Sequence, residues 1–279
     1  MRLGDLEFHI VSDGGVRLDG GGMFGVIPRP MWEKKFAPDE RNRVRIAMNC
    51  LLIRSGGKWL LVETGAGEKW DAKRRDIFAI EGPPRLLDHL AERGVKPEQI
   101  DYVINTHLHF DHCGWNTRIV DGRAVPTFPN ARYIVQKGEL EHAKRPNERD
   151  RSSYIPDNFL PIEAAGQWWL LEGEREIAPG VELIRVPGHT ADMQCVILRG
   201  GGKGAFLFAD LVPTTAHLPL AWIMSFDLYP MTTLENKQKW IAEVARQGWL
   251  ALFGHDPVIP AAYLHEREGQ YVAEAVKVD

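Results

Sequence analysis

The chain has few cysteines, no long apolar run and no excess of positive charge. Its three cysteines, Cys50, Cys113 and Cys195, are far apart and odd in number, which argues against a disulfide framework. No stretch reaches the roughly 20 consecutive apolar residues of a membrane span, and the first residues lack the apolar core of a signal peptide. A net charge of −4 argues against the basic surface that nucleic-acid binding requires. We therefore expect a cytoplasmic protein with no nucleic-acid or membrane partner.

The apolar content is enough for one large core. Hydrophobic residues make up 44% of the 279 residues, and no linker-like stretch divides them. We therefore expect a single domain spanning residues 1–279.

Short apolar runs predict strands. They lie at 8–11, 48–53, 59–63, 102–105, 132–135, 181–186, 194–198 and 205–209. Glycine-rich links at 55–58 and 200–204 predict two hairpins, because glycine supplies the positive φ that tight turns need.

Helical patterns alternate with these strands. One is predicted at 84–93, with Gly94 as its stop. A second is predicted at 232–247, where Thr232 and Glu235 fit a capping box. The alternation favours an α/β fold in which two sheets pack face to face with helices outside.

One short segment holds most of the candidate chemistry. Three of the ten histidines, His107, His109 and His112, surround Asp111 directly after a strand-like run. Two histidines at i and i+2 in a tight loop can bind one ion, and the remaining two side chains can serve a second. A chance cluster of solvated histidines is the competing interpretation, and the density of imidazole disfavours it.

Three further candidate ligands also lie at the end of a strand-like run. His189, Asp210 and His255 each come at or just after the end of a short apolar run. Functional side chains of α/β proteins collect where strands pass into loops. We therefore expect these three to join the histidine-rich loop.

At this point the chain resembles the metallo-β-lactamase-fold hydrolases. The motifs that carry the resemblance are Thr-His-Leu-His-Phe-Asp-His at 106–112, Gly-His-Thr at 188–190, Phe-Ala-Asp at 208–210 and Gly-His-Asp at 254–256. The segment 61–65 is similar to the first active-site loop of that family, with Glu63 where aspartate is usual. The resemblance implies a four-layer αββα sandwich of the metallo-β-lactamase type.

The resemblance also implies two divalent metal ions. His107, His109 and His189 would hold one ion; Asp111, His112 and His255 would hold the other; Asp210 would bridge both. Zinc suits these ligands best, and manganese, iron or cobalt also fit them. Asp111 and Asp210 would be the catalytic carboxylates, with Asp111 a candidate to pass a proton to the leaving group.

The carboxylate at Asp210 bears on the branch of the family. True β-lactamases of this fold commonly have cysteine near that position, so the chain is more similar to the dinuclear branches that include lactonases, glyoxalase-II-like thioesterases and phosphotriesterases. The segments 23–28, 49–52 and 217–230 resemble the lactonase-type branch, which includes the quorum-quenching acyl-homoserine lactonases. We expect a small-molecule lactone or related ester to be opened by a metal-bridging hydroxide. Phosphotriester or arylester hydrolysis at the same site, sulfur dioxygenation on a single iron, a thioesterase and a non-enzymatic metal protein remain as alternatives.

Apolar loops supply a predicted substrate wall. Its candidates are Phe24, Trp32, Phe110, Phe159, His217, Trp222 and Phe226. The lactonases often have a tyrosine where this chain has Pro213. Either His217 or Tyr229 takes its place in holding the substrate carbonyl, or the substrate is not a homoserine lactone. The apolar loop 20–32 is equally consistent with a homodimer contact.

Overall fold

The computed structural model describes residues 1–278, which form two large sheets and one small hairpin. The strands of the first sheet, in chain order, are β1 (Arg2–Leu3), β2 (Leu6–Asp19), β3 (Arg43–Ser55), β4 (Lys58–Val62), β5 (Ile100–Ile104), β8 (Arg132–Gln136) and β9 (Trp168–Leu171). Those of the second are β10 (Arg175–Ala178), β11 (Val181–Arg185), β12 (Gln194–Gly200), β13 (Lys203–Leu207), β14 (Leu250–Leu252), β15 (Ala261–Arg267) and β16 (Gln270–Ala275). The small hairpin is β6 (Thr117–Val120) with β7 (Arg123–Pro126). In each large sheet the spatial order of the strands follows their order along the chain.

Seven α-helices accompany the strands in the described part of the chain. They are α1 (Gly20–Phe24), α2 (Arg29–Trp32), α3 (Ala72–Phe78), α4 (Leu86–Glu92), α5 (Lys137–Lys144), α6 (Leu160–Ala164) and α7 (Pro230–Gln247). Within residues 1–278 we find no helix with the length and apolar character needed to cross a bilayer.

The two large sheets pack face to face. Leu51 and Ile53 of β3 share one buried core with Leu183 of β11 and Leu207 of β13. Successive side chains of a strand point to opposite faces, so Leu52 belongs instead to the layer that packs on α4. The outer face of the second sheet packs on α7 in the same way. The helix–sheet–sheet–helix order confirms the predicted αββα sandwich.

The strand order places the predicted ligand loops at one edge. β11 and β13 are both antiparallel to β12 and so run in the same direction, and β13 is parallel to β14. The loops that follow β11, β13 and β14 therefore leave the second sheet on the same side. The loop after β5 reaches this edge from the first sheet, because Gln194 donates its N–H to Thr106 O at 2.9 Å.

The predicted strands and both hairpins are confirmed. Most strand ends differ by one or two residues, but β2 runs eight residues beyond the predicted 8–11 and β3 begins five residues before the predicted 48–53. Gly94 has φ of +71° just beyond α4, which confirms its role as the stop. The capping box at Thr232 is wrong. The last helix begins earlier, at Pro230, because proline at the first helical position needs no N–H partner and its φ already suits the helix. The strands at 261–267 and 270–275 were not predicted.

Candidate metal centre

The seven predicted ligands lie together at this edge. Their side chains form three overlapping groups in which the candidate ligand atoms lie within 4.8 Å of one another. The groups are His107 with His109 and His189, His107 with His112 and Asp210, and Asp111 with His112 and His255. The structure thus brings together every candidate metal ligand that the sequence indicated.

Hydrogen bonds to its backbone fix the conformation of the histidine-rich loop at 106–112. The backbone oxygen of His112 accepts bonds from Thr64 N at 2.8 Å and from Asn105 Nδ2 at 3.1 Å. Glu139 Oε1 accepts the N–H of Leu108 at 3.0 Å. These bonds fix the backbone from which the four candidate ligands of the loop reach the cluster, while Leu108 packs in a hydrophobic core.

Asp210 lies at the centre of the cluster. Its Oδ2 is 3.2 Å from His189 Nε2 and 4.0 Å from His107 Nε2. Its Oδ1 is 3.1 Å from His255 Nε2 and 3.3 Å from His112 Nε2. Each oxygen of one carboxylate therefore faces a different pair of imidazoles.

Asp210 also follows a strained residue. Ala209 has φ of +47°, in the left-handed region that non-glycine residues avoid. Such strain persists when its surroundings hold it, and it concentrates at functional sites.

The histidines of the cluster differ in their electrostatics. Burial lowers the pKa of His107 well below its ordinary value, so its ring is neutral and its nitrogen lone pair is free to bind an ion. Burial alone would do the same to His112, but the carboxylates of Asp210, Asp111 and Glu63 raise its pKa. The pKa of Asp210 is held well below its ordinary value despite burial, by the imidazoles around it.

Three of the candidate ligands have a buried polar atom without a hydrogen-bond partner. These atoms are Nε2 of His107, Nε2 of His109 and Oδ1 of Asp210, and none makes a hydrogen bond within residues 1–278. Buried polar atoms are normally satisfied, because an unpaired one costs about 1–3 kcal/mol. Imidazole nitrogens and carboxylate oxygens that converge without partners fit divalent ions such as zinc.

Hydrogen bonds at the far side of the rings orient several ligands. Nδ1 of His255 lies 2.8 Å from Ala47 O and donates to it, so Nε2 faces the cluster as an acceptor. Nδ1 of His189 lies 2.9 Å from Asp227 Oδ1. Glu63 Oε1 lies 3.4 Å from His112 Nδ1 and accepts the N–H of Thr106 at 3.1 Å, so the glutamate still reaches the cluster where the family usually has aspartate.

Sequence reasoning missed two of the supporting carboxylates. Glu139 is almost fully buried and accepts bonds from Leu108 N, Thr190 Oγ1 and Tyr154 Oη. It thereby joins two ligand-bearing loops. Asp227 was missed in the same way. Glu139 lies in the first turn of α5, a helix that was not predicted, and Asp227 follows an apolar loop. Acidic residues in such places are common at solvated surfaces.

A cavity of about 420 Å³ opens onto the cluster. Two of the predicted wall residues, Phe110 and Phe226, line it. Phe78 also lines it and lies against Phe110, with ring centroids 4.9 Å apart. His109, Asp111, His189, Asp210 and His255 contribute to its lining, so the cavity reaches the candidate metal ligands.

The other predicted wall residues have a different place. Phe24, Trp32, Phe159, His217 and Trp222 are not among the residues that line this cavity. Phe24 and Trp32 are buried and stacked on each other, with ring centroids 5.1 Å apart. Trp222 packs edge-on against Phe24. Phe159 is buried in the small core that includes Leu108 and Tyr154. These side chains pack against other parts of the protein and do not form the cavity wall.

His217 is a satisfied loop histidine. Its Nε2 lies 2.8 Å from Met23 O and donates to it, so its Nδ1 accepts from Thr214 Oγ1 at 2.8 Å. Burial lowers the pKa of His217 to about 3, which keeps the ring neutral. Tyr229 does not line the cavity either. Neither candidate therefore takes the place of the tyrosine that the lactonase pattern puts at position 213.

Comparison with known proteins agrees with this geometry. The model of the metallo-beta-lactamase superfamily matches residues 45–255, which is most of the chain. An N-acyl homoserine lactonase from a Bacillus species is 33% identical over 169 residues, which cover 57% of this chain and 60% of that protein. The chain therefore spans less than two thirds of the length of that relative.

Solved structures share the whole fold. A probable metal-dependent hydrolase from Staphylococcus aureus superposes with a TM-score of 0.90 and 30% identity, and the match covers 100% of both chains. AidC, a dizinc quorum-quenching lactonase solved with the product N-hexanoyl-L-homoserine, superposes with a TM-score of 0.80 at 21% identity, covering 100% of this chain and 97% of that one. At that identity the second likeness shows the fold alone.

Proposed function

The chain belongs to the metallo-β-lactamase superfamily, and from this membership we propose that it is a dinuclear metal-dependent hydrolase that opens a lactone or related ester. The lactonase relatives support the choice of a lactone. The cavity supports a small-molecule substrate, because its volume of about 420 Å³ lies within the range of ligand sites.

One observation carries the dinuclear part of the proposal. The two oxygens of Asp210 face different imidazole pairs, with contacts of 3.2 Å to His189 on one side and 3.1 Å to His255 on the other. A carboxylate that binds a single ion needs other ligands beside only one of its two oxygens. The arrangement therefore favours two ions, with Asp210 between them.

The ions would supply the electrophilic part of the chemistry. Two divalent ions, zinc by preference, would polarise the ester carbonyl and lower the pKa of a water between them. His107, His109 and His189 would hold one, and Asp111, His112 and His255 the other. The protein contributes fixed ligand directions, because bonds at the far nitrogens of His189 and His255 leave Nε2 of each ring toward the site.

Asp111 has the position required to move a proton. Its carboxylate lines the cavity, while its oxygens lie 3.8 Å from His112 Nε2 and 3.8 Å from His255 Nε2. A carboxylate that borders both the ligand cluster and the substrate space can take a proton from the attacking water and deliver it to the departing alkoxide.

Cysteine chemistry has no support at this site. Cys113 is fully buried beside the ligand loop, and its thiol donates to the backbone oxygens of Leu108 and His109. Burial raises the pKa of Cys113, which keeps the thiol protonated and a poor nucleophile or ligand.

The experiment is a ring-opening assay on protein of measured metal content. Purified protein would be loaded with zinc, its metal content determined, and proton release followed with a pH indicator on acyl-homoserine, γ- and δ-lactones. We expect close to two ions per chain and turnover that a chelator abolishes. Asp210→Asn should lose most of the bound metal and most of the turnover while its circular-dichroism spectrum remains that of a folded protein. Asp192→Asn, outside the cluster, should keep both the metal and the turnover.

Two outcomes would overturn the proposal. Two bound ions without turnover of any lactone would reject the lactonase assignment, and aryl esters and phosphotriesters would then be tested on the same sample. One bound iron with oxygen consumption would reject hydrolysis itself.

A further inference from the structure

The cavity wall contains several positively charged side chains. Four arginines line it: Arg17, Arg41, Arg43 and Arg149. Apolar side chains line it too, among them Ile77, Phe78, Phe110, Met224 and Phe226. A purely hydrocarbon substrate would give the four guanidinium groups nothing to bind.

Three of the four arginines already have partners. Arg41 Nη1 lies 2.9 Å from Asp76 Oδ1, and Arg43 Nη2 lies 2.8 Å from Asp39 Oδ2. Arg149 Nη2 donates to the backbone oxygen of Ser225 at 2.6 Å. These three contacts fix the surrounding loops in place. Arg41 and Arg43 are thus paired with carboxylates, and Arg149 is held by a backbone oxygen.

Arg17 is the exception. It is half-buried on β2, and within residues 1–278 its side chain makes no hydrogen bond and no ion pair. A half-buried guanidinium without a partner is costly, because it has lost water on one side and gained no acceptor. Its five N–H groups remain free to bind a ligand.

Glu81 and Asp19, two acidic residues on this part of the fold, are hydrogen-bonded to other groups. The pKa of Glu81 is lowered mainly by its bonds to Arg45, and the charge of Arg17 adds to that effect. Arg17 is directly opposite Arg45 in the pairing of β2 with β3. Arg45 holds Glu81 through two bonds of 2.7 and 2.9 Å. Asp19 accepts the N–H of Gly22 at 2.9 Å with one oxygen and Asn42 Nδ2 at 3.1 Å with the other.

We infer that Arg17 binds a carboxylate carried by the substrate at a distance from the bond that is hydrolysed. The inference rests on the proposed ester or lactone hydrolysis and adds the class of substrate: an amphipathic molecule with an apolar middle and an anionic end. Arg17 is then a residue that determines specificity, because its planar fork matches the two oxygens of a carboxylate.

A carboxylate fits this position better than a phosphate. Arg17 has no ion pair, and its single positive charge matches the single negative charge of a carboxylate. A phosphate monoester carries close to two negative charges at neutral pH, and the second would lie beside Asp19, which also lines the cavity. The apolar side chains of the same wall suit a hydrocarbon linker.

The test compares matched substrates. N-butanoyl, N-hexanoyl and N-octanoyl homoserine lactones would be assayed beside N-succinyl, N-adipoyl and N-suberoyl homoserine lactones, in which a carboxylate replaces the terminal methyl group. We expect a higher kcat/KM for at least one carboxylated member than for its alkyl partner. The chain length with the largest ratio measures the span from Arg17 to the reacting carbonyl.

The variants isolate Arg17 from general effects. Arg17→Met should lower the ratio of kcat/KM between the carboxylated and alkyl lactones by tenfold or more, on the order expected for a lost charge-assisted hydrogen bond. Arg17→Lys should retain part of the ratio. Arg54→Met is the matched control, because Arg54 lies on β3 against the Trp59 ring and does not line the cavity. An unchanged ratio in Arg17→Met, or a preference of the unaltered protein for every alkyl lactone, would overturn the inference.

A binding measurement separates this inference from the proposed function. Calorimetry would compare N-adipoyl-homoserine with N-hexanoyl-homoserine, the ring-opened forms, on the zinc-loaded protein and on Arg17→Met. Tighter binding of the carboxylated compound that disappears in the variant supports the Arg17 site even if no lactone is turned over. Equal binding of the two compounds rejects it even if lactones are hydrolysed.

Discussion

Asp227 Oδ1 lies 2.9 Å from Nδ1 of His189, and both residues are almost fully buried. The carboxylate orients the ring so that Nε2 faces Asp210, and its negative charge makes that nitrogen more basic. The same loop is held by Arg149, which donates to the backbone oxygen of Ser225. A segment that the sequence marked only as an apolar loop therefore supports the candidate metal centre.

We expect Asp227→Ala to weaken metal binding without unfolding the protein. Loss of a carboxylate behind a histidine ligand typically lowers metal affinity by roughly 10–100-fold. Asp227→Asn keeps an acceptor for the Nδ1 hydrogen and should lose less. Competition with a chromogenic zinc chelator would measure both. Asp192→Asn is the control, because Asp192 pairs with Arg185 outside the centre, and an equal loss there would contradict the assigned role of Asp227.

The ligands could be predicted from sequence because their positions are local. His107, His109, Asp111 and His112 are close together along the chain, and the spacing itself carries the chemistry. The supporting carboxylates carry no such signal. Asp227 meets His189 across 38 residues, and Glu139 meets Thr190 across 51. A partner that depends on tertiary packing has no pattern in the sequence.

Only part of the substrate wall could be predicted, because packing in the folded chain also decides which aromatic residues face the cavity. Aromatic residues in loops either line a pocket or pack behind it, and composition does not separate these cases. Phe24 packs between Trp32 and His217, with ring centroids 5.1 and 4.9 Å away, so three predicted wall residues satisfy one another. Phe110 and Phe226 were left to line the cavity. The unpaired Arg17 was missed because its lack of a partner exists only in the folded chain.

We expect removal of metal to lower the melting temperature markedly. Without ions, His107 Nε2 and Asp210 Oδ1 remain buried with no hydrogen-bond partner, and the clustered imidazoles and carboxylates lose their common ligand. A ligand present at 1,000 times its Kd stabilises the folded state by about 4 kcal/mol. Thermal melts with and without chelator would measure the change, and added zinc should reverse it. Asp210→Asn should show a much smaller zinc-dependent shift, and a shift of full size would contradict the central role of Asp210.

A buried lysine predicts a dependence of stability on pH. Lys237 of α7 is fully buried, and its Nζ donates to the backbone oxygens of Pro219 at 2.9 Å and Trp222 at 2.7 Å. Burial lowers the pKa of Lys237 from the ordinary 10.5 to about 7. A neutral amine still has two hydrogens for the two carbonyl oxygens.

The free energy of unfolding should therefore rise with pH above 7. Between pH 7 and 10.5 the unfolded chain binds a proton at Lys237 that the folded chain does not, so raising the pH favours folding by up to about 1.4 kcal/mol per unit. Below pH 7 both states are protonated and the full cost of the buried charge is present. Urea denaturation at pH 7.0 and 8.5 would measure the difference, which Lys237→Met should reduce. Lys239→Met, an exposed lysine on the same helix, should leave it unchanged.

Two glycines that each precede a histidine ligand should respond differently to alanine. Gly188 has φ of +147°, and an added Cβ would lie 2.5 Å from Thr233 Oγ1 and 2.9 Å from Thr233 Cα. Gly254 has no heavy atom within 4 Å of that position. We expect Gly188→Ala to cost about 1–3 kcal/mol of stability through overpacking and to lower zinc affinity by displacing His189. Gly254→Ala should stay within about 0.5 kcal/mol of the unaltered protein. Urea denaturation with zinc titration checks both, and equal effects of the two substitutions would show that the approach of Thr233 does not decide the outcome.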